Sequence, residues 1–285
     1  MIWRRQLRIR DPYVLTDVRE GLYYLYGTNH SKGFDVYTSR DLEHWEGPFP
    51  AFRPDAGFWA DRDYWAPEVH EYRGRYYMLA TLKAEGVCRG TQIFAADRPL
   101  GPFRPWSDGP VTPRDWECLD GTLYIDEANK PWMVFCHEWL QVHDGEMCAV
   151  PLTDSLDAPA GEPLMLFKAS EAPWVAPRKT GIDYITDGPW LFRSGQQLLM
   201  MWSSFGRNGY AIGIARSASG SVRGPWSHDE RPLFDKDGGH GMLFRDLRGE
   251  RMLTFHAPNK SPEERAMFIP MQEAFPDTPV ETSEA

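Results

Sequence analysis

Asp11, Asp120 and Asp187 stand far apart in this 285-residue chain but in one local setting: Arg10-Asp11-Pro12-Tyr13, Leu119-Asp120-Gly121-Thr122 and Thr186-Asp187-Gly188-Pro189. Two further segments read alike, Ala66-Pro67-Glu68-Val69 and Gly239-His240-Gly241-Met242, so four of the five openings carry a carboxylate and the fifth a histidine. A single Asp beside Pro or Gly reads first as a turn former capping its own backbone. Three at equivalent places point to chemistry. Two carboxyl groups across a cleft can hydrolyse a glycosidic bond, one protonated to donate to the leaving oxygen and one ionised to activate water. A third close by raises the acid's pKa by like-charge repulsion.

Convergence of these groups demands a radial fold, and the segments that follow each opening supply one. Each leads into a hairpin of short apolar or aromatic runs, as in Tyr13-Val14-Leu15 with Leu22-Tyr23-Tyr24-Leu25-Tyr26, and Val69-His70-Glu71-Tyr72 with Tyr76-Tyr77-Met78-Leu79-Ala80. Third strands follow at 34–39, 92–96 and 211–217, and three Gly-Pro-aromatic closures recur at Gly47, Gly101 and Gly224. Units start roughly fifty to sixty-five residues apart, the spacing of a four-stranded propeller blade with long connections. The sequence therefore predicts an all-β, five-bladed β-propeller forming a single domain over 1–285, with the tail after about 272 an outer strand or disordered.

In such a ring the inner strands start at one mouth and the second strands return to it. That places Thr28, His137, Glu138, Trp139, Ser203 and His256 around the cleft, with His137, Trp139, Ser203 and His256 expected substrate contacts and Glu138 an alternative acid. Trp59, Trp65, Trp139 and Trp190 are candidate sugar platforms, with packing between blades as the alternative. His240 reads either as a buried histidine bonded to backbone or as a neighbour of a cation such as calcium whose other ligands are oxygens, mostly water.

Composition narrows the partner. A net charge of −10 argues against nucleic acid and anionic membrane surfaces and leaves a neutral ligand. No apolar run reaches the length of a membrane helix. The four cysteines form no CxxC pair, which argues against zinc, and the N-terminal residues lack the apolar core of a secretory signal. The expectation is a cytoplasmic protein, or a secreted one whose signal has been trimmed.

At these motifs nearly the whole chain resembles glycoside hydrolase family 43, five-bladed propeller enzymes that include arabinofuranosidases, arabinanases and β-xylosidases. The resemblance implies that Asp11 is the general base, that Asp120 orients the acid and modulates its pKa, and that His240 lies beneath the centre near a metal ion or water. Trp65-Ala66-Pro67-Glu68 resembles the second-blade Trp-Ala-Pro-Asp, which makes Glu68 and Trp65 substrate contacts. Where the family carries Glu-Gly-Pro with Glu as acid, this chain has Asp187-Gly188-Pro189, one methylene shorter. Three assignments stay open, in this order: Asp187 is the acid, Glu138 or another Glu such as Glu68 replaces it, or catalysis is weak.

The implied reaction is inverting hydrolysis of an oligosaccharide ending in a pentose, α-L-arabinofuranoside ahead of β-D-xyloside, with no required cofactor. A galactoside or galactofuranoside substrate is a further reading. So are a non-catalytic carbohydrate-binding propeller, suggested by Asp187, and a retaining fructan-cleaving relative, suggested by Trp116-Glu117-Cys118.

Overall fold

The computed structural model describes residues 1–178 and 181–271. Five antiparallel sheets carry nearly all of its regular structure. The first comprises β1 (Ile2–Trp3), β2 (Arg10–Asp17), β3 (Leu22–Thr28), β4 (Phe34–Ser39) and β5 (His44–Phe52), in the order β1-β5-β4-β3-β2. The second is β6 (Arg62–Tyr72), β7 (Arg75–Ala84), β8 (Val87–Ala96) and β9 (Arg104–Pro110). The third is β10 (Cys118–Ile125), β11 (Pro131–His137), β12 (Glu146–Pro151) and β13 (Leu164–Lys168), with the short helix α1 (Trp139–Val142) between its middle strands. The fourth is β14 (Asp187–Ser194), β15 (Gln197–Gly206), β16 (Gly209–Ser217) and β17 (Trp226–His228), and the fifth has three strands, β18 (Gly239–Arg245), β19 (Arg251–Ala257) and β20 (Arg265–Pro270).

The sheets are the blades of a five-bladed β-propeller, and each expected hairpin is the inner pair of one blade. The ring closes where the segment before β2 meets blade five, through a bridge between Arg8 and Arg265 and the Ile9 N–H donating to the Glu264 carbonyl. Buried side chains between blades hold the ring; Trp45, Trp202, Tyr26, Phe34 and Phe94 are among those less than 2% exposed. Among the described residues no helix is long and apolar enough to cross a membrane. The expected outer strand or disorder after about 272 lies outside the described residues.

What positions the site is one irregularity repeated five times. Between paired positions, two residues of the inner strand oppose one of its neighbour: from Arg10 to Tyr13, Trp65 to Glu68, Leu119 to Thr122, Asp187 to Trp190 and Gly239 to Met242. Each is a one-residue bulge, which bends the strand and re-aims the side chains beside it. The first of the two bulged residues has positive φ in every blade: Asp11 48°, Ala66 43°, Asp120 57°, Gly188 46° and His240 54°. Asp and His adopt that region more readily than most residues, whereas Val or Ile would be strained there.

This frame corrects one expectation. Asp11, Asp120 and His240 occupy the same place in their blades, but Asp187 does not; it precedes the bulge residue, and Gly188 takes that place. Glu68 also departs, standing two residues beyond Ala66. At the rise of a strand that is roughly 6–7 Å deeper into the ring.

Candidate active site

The bulges bring the three aspartates and His240 together. His240 Nδ1 lies 3.2 Å from Asp11 Oδ1 and 3.6 Å from Asp120 Oδ2, so one imidazole joins blades one, three and five. Blade four enters through the Gly188 N–H, which donates to Asp120 Oδ2 at 3.0 Å, and through a hydrogen bond between the carboxyl groups of Asp187 and Asp120. Gly188 must be glycine here. A Cβ on it would stand 2.8 Å from His240 Cγ and 3.0 Å from His240 Cα.

The environments of the carboxyl groups diverge. At Asp11, burial favours the neutral form, but His240, His256, the Arg10 guanidinium and the Thr28 hydroxyl outweigh it and hold the pKa down at about 2. Thr28 donates to Asp11 Oδ2 at 2.7 Å and itself accepts from the Ala66 N–H at 2.8 Å, which fixes the hydroxyl. Asp120 is pushed up to about 7 by burial and by the charge of Asp11. At Asp187, burial and Asp120 together push the pKa well above the usual carboxylate range, against the pull of His240 and of the Tyr210 hydroxyl, which donates to Asp187 Oδ2 at 2.8 Å. One carboxylate is thus ionised and a pair beside it shares a proton.

All four groups are largely enclosed, with the side chains of Asp11, His240 and Asp120 11%, 9% and 7% exposed and Asp187 part-buried. Ser203 and His256, expected at the sugar, are instead buried supports. Ser203 Oγ accepts from the His240 N–H at 2.8 Å, and Ser203 and His256 are each 0% exposed. His256 Nδ1 accepts from the Asp11 N–H at 3.2 Å, which leaves its ring proton on Nε2, facing Asn259 Oδ1 at 3.2 Å. Burial keeps His256 neutral, with a pKa lowered to about 4.

Three other expected contacts point elsewhere. His137 has both ring nitrogens engaged, Nδ1 with Glu146 at 2.9 Å and Nε2 with Gln141 at 3.0 Å, and its face stacks on Trp116, so it has no nitrogen left for a sugar. Glu68 pairs with His70 Nε2 at 3.0 Å, in a plug below the catalytic level that includes Tyr13 and Trp190. Glu138, the alternative acid, is buried and ion-paired with Arg89, which also binds Asp63 at 2.8 Å. Burial raises its pKa, Arg89 opposes this and Asp187 adds to it, but the proton-bearing form would break the pair.

Of the tryptophans, Trp65 is half-buried with the Arg89 guanidinium 4.4 Å from its ring centre, and Trp139 is half-buried with Arg178 at 5.4 Å. Trp59 is tied to Gln92 by a 2.7 Å hydrogen bond, and Trp190 packs beneath the centre. Among the described residues no group of three His, Cys, Asp or Glu side chains is arranged to hold a metal ion. His240 turns Nδ1 to two carboxylates, which leaves Nε2 as the one nitrogen open to a cation whose other ligands are water oxygens.

Sequence reasoning missed Tyr210, Arg10 and Arg89. Tyr210 lies inside a third strand with no motif around it, and its only trace is the glycine it packs on, Gly239, whose Cβ would fall 2.3 Å from its ring. Arg10 stood in the quoted opening as a mere neighbour of Asp11.

Residues 6–273 match the family model for glycosyl hydrolases family 43. The chain belongs to glycosyl hydrolase family 43. As a member it is a glycosidase that hydrolyses O-glycosyl bonds. This family-43 chain is 27% identical over 266 residues to the extracellular exo-α-(1→5)-L-arabinofuranosidase ArbA of Cellvibrio japonicus, covering 85% of this chain and 72% of that one. It is 45% identical to the crystal structure of an endo-arabinase from Bacteroides thetaiotaomicron, with a TM-score of 0.90 over 95% of this chain and 96% of that one. An α-L-arabinofuranosidase from Lactobacillus brevis shares the fold, with a TM-score of 0.73 at 19% identity over 94% and 91% of the two chains. The curated relative is named extracellular, and nothing found here supports the cytoplasmic placement expected from the sequence.

Proposed function

We propose that this family-43 glycosidase cleaves α-L-arabinofuranosidic linkages of arabinan-type oligosaccharides by single displacement with inversion. Asp11 is the general base, Asp187 the general acid, and Asp120 the group that keeps the acid protonated. The observation that carries the assignment is the divergence of two carboxyl groups: Asp11 held near 2 and Asp187 pushed well up. Groups whose environments push their pKa values apart are suited to opposite halves of one proton transfer.

The steps balance with these residues alone. Asp11, ionised, takes a proton from water as its oxygen attacks the anomeric carbon. The glycosidic C–O bond breaks, and the leaving oxygen takes the proton of Asp187. The enzyme is left with Asp11 protonated and Asp187 ionised, and exchange with solvent restores both. In this reading His240 orients the carboxylates through Nδ1. Glu138 stays in its ion pair with Arg89. The arabinose specificity is supported by the activities for which the Cellvibrio and Bacteroides relatives are named.

Proton NMR of the first reducing sugar released from α-1,5-L-arabino-oligosaccharides, with β-1,4-xylo-oligosaccharides run in parallel, tests both parts. Prompt appearance of the β anomer from the arabinose substrate is expected. A first-formed α anomer would overturn the inverting assignment, and preferential cleavage of the xylose substrate would overturn the sugar.

A further inference from the structure

We propose that Tyr210 is the positioning residue of the proton donor: its hydroxyl fixes Asp187 Oδ2 and stabilises the carboxylate formed when Asp187 gives up its proton. The proposal rests on Asp187 being the acid and goes beyond it, because nothing in the family motif or in the repeat of the openings marks position 210.

The phenol is held from every side. Tyr210 is 1% exposed, its ring lies 5.6 Å from His256 at an interplanar angle of 26°, and Phe205 packs at 5.3 Å. Its floor is the backbone of Gly239, where a Cβ would come within 2.3 Å of the ring edge. The backbone is pinned as well, with the Tyr210 N–H donating to Asp237 Oδ1 at 3.4 Å and its carbonyl accepting from the Gly238 N–H at 2.9 Å. The hydroxyl can therefore point to one place, Asp187 Oδ2 at 2.8 Å.

Burial, followed by the charges of Asp187, Asp11 and Asp120, keeps the phenol protonated by raising its pKa well above the ordinary value. A neutral phenol donates to a carboxylate more strongly than to a carboxylic acid. The contact is thus stronger after proton transfer than before it, the condition for an interaction to accelerate a step. It also leaves Asp187 only its other oxygen to carry the proton.

The charged and titratable groups facing Asp187 are Asp120 and Cys136 from blade three, His240 from blade five, Arg10 from blade one, Tyr210 from its own blade, and Glu138 at the start of α1. Of these, Tyr210 is the neutral donor that opposes the upward push on Asp187. Removing it raises the pKa of the acid further.

The test compares Tyr210→Phe, Asp187→Asn and the double variant on two arabinofuranosides, one with a phenyl and one with a 2,4-dinitrophenyl leaving group. The activated group departs without protonation, so loss of the acid shows on the phenyl substrate. Tyr210→Phe is expected to lower kcat on the phenyl substrate by on the order of tenfold with KM little changed, to spare the activated one, and to move the alkaline limb of kcat/KM upward. In the Asp187→Asn background the same substitution is expected to cost nothing further. Equal losses on both substrates from Tyr210→Phe, with an unmoved alkaline limb and additive effects in the double variant, would overturn the proposal while Asp187 keeps its leaving-group signature. If Asp187→Asn itself loses equally on both substrates, the acid assignment fails and this proposal with it. Should Tyr210→Phe not fold, Gly239→Ala, which displaces the ring and keeps the phenol, is expected to give the same leaving-group pattern. Its absence would again overturn the proposal.

Discussion

In blade one the carboxylate stands on the bulge residue, Asp11, and is ringed by two imidazoles, a guanidinium and a hydroxyl. In blade four the bulge residue is Gly188 and the carboxylate stands one place earlier, against another carboxyl and a phenol. The backbones match; the surroundings of the acids are opposite. Asp11 lies beside the Arg10 guanidinium and the donating Thr28 hydroxyl and is held ionised, whereas Asp187 lies beside an acid and is held protonated. The one-residue offset does more than shift a side chain. It frees the bulge position for a glycine, and His240 packs into the space that a Cβ would fill.

The strongest way to break this contrast is to neutralise each side. Asp11→Asn is expected to lower kcat/KM by roughly 10³–10⁴-fold whatever the leaving group, because water then loses its base, while Asp187→Asn costs roughly 10²–10³-fold on unactivated substrates only. Steady-state rates on a leaving-group series check both, and identical profiles would remove the distinction.

A smaller effect is expected at the bulge. Ala66 occupies in blade two the position of Gly188 and carries its Cβ at φ 43°, so the backbone alone tolerates one. Gly188→Ala should nevertheless cost about 2 kcal/mol, because its Cβ meets His240 rather than open space. Urea midpoints of Gly188→Ala against Ala66→Gly measure the difference.

The smallest effect concerns pH. Asp120 has a folded-state pKa of about 7, above its unfolded value, so the folded state binds more protons and stability falls as pH rises between the two. Asp120→Asn removes that loss. It is expected to raise stability by about 1–2 kcal/mol at pH 8 and to change little at pH 4, read from thermal midpoints at both values. Loss of activity should accompany the gain in stability.

The ring was legible because hairpin periodicity and Pro/Gly openings are local signals, and all five openings became inner strands. The place of Asp11 was legible for the same reason, since it precedes its proline on the bulge. The frame of blade four was not. Thr186-Asp187-Gly188-Pro189 resembles the other openings in composition, and only strand register shows that Gly188, not Asp187, carries the positive φ. His137, Ser203 and His256 were placed correctly at the returning ends of their strands, yet a strand end does not reveal whether a side chain faces solvent or a neighbour. All three are consumed by internal hydrogen bonds. Tyr210 was hidden for a simpler reason: an aromatic inside a strand reads as core until its hydroxyl is seen on a carboxylate.

The central claim is that the fold holds Asp11 ionised and Asp187 protonated in the same cleft. Carbon-13 NMR titration of protein labelled at the aspartate carboxyl carbons, with the two resonances assigned from Asp11→Asn and Asp187→Asn, measures this directly. The account predicts that the Asp11 signal is fully that of a carboxylate at pH 5, with a midpoint near 2, while Asp187 is still protonated there. Midpoints for both near the ordinary aspartate value of about 3.9 would contradict it.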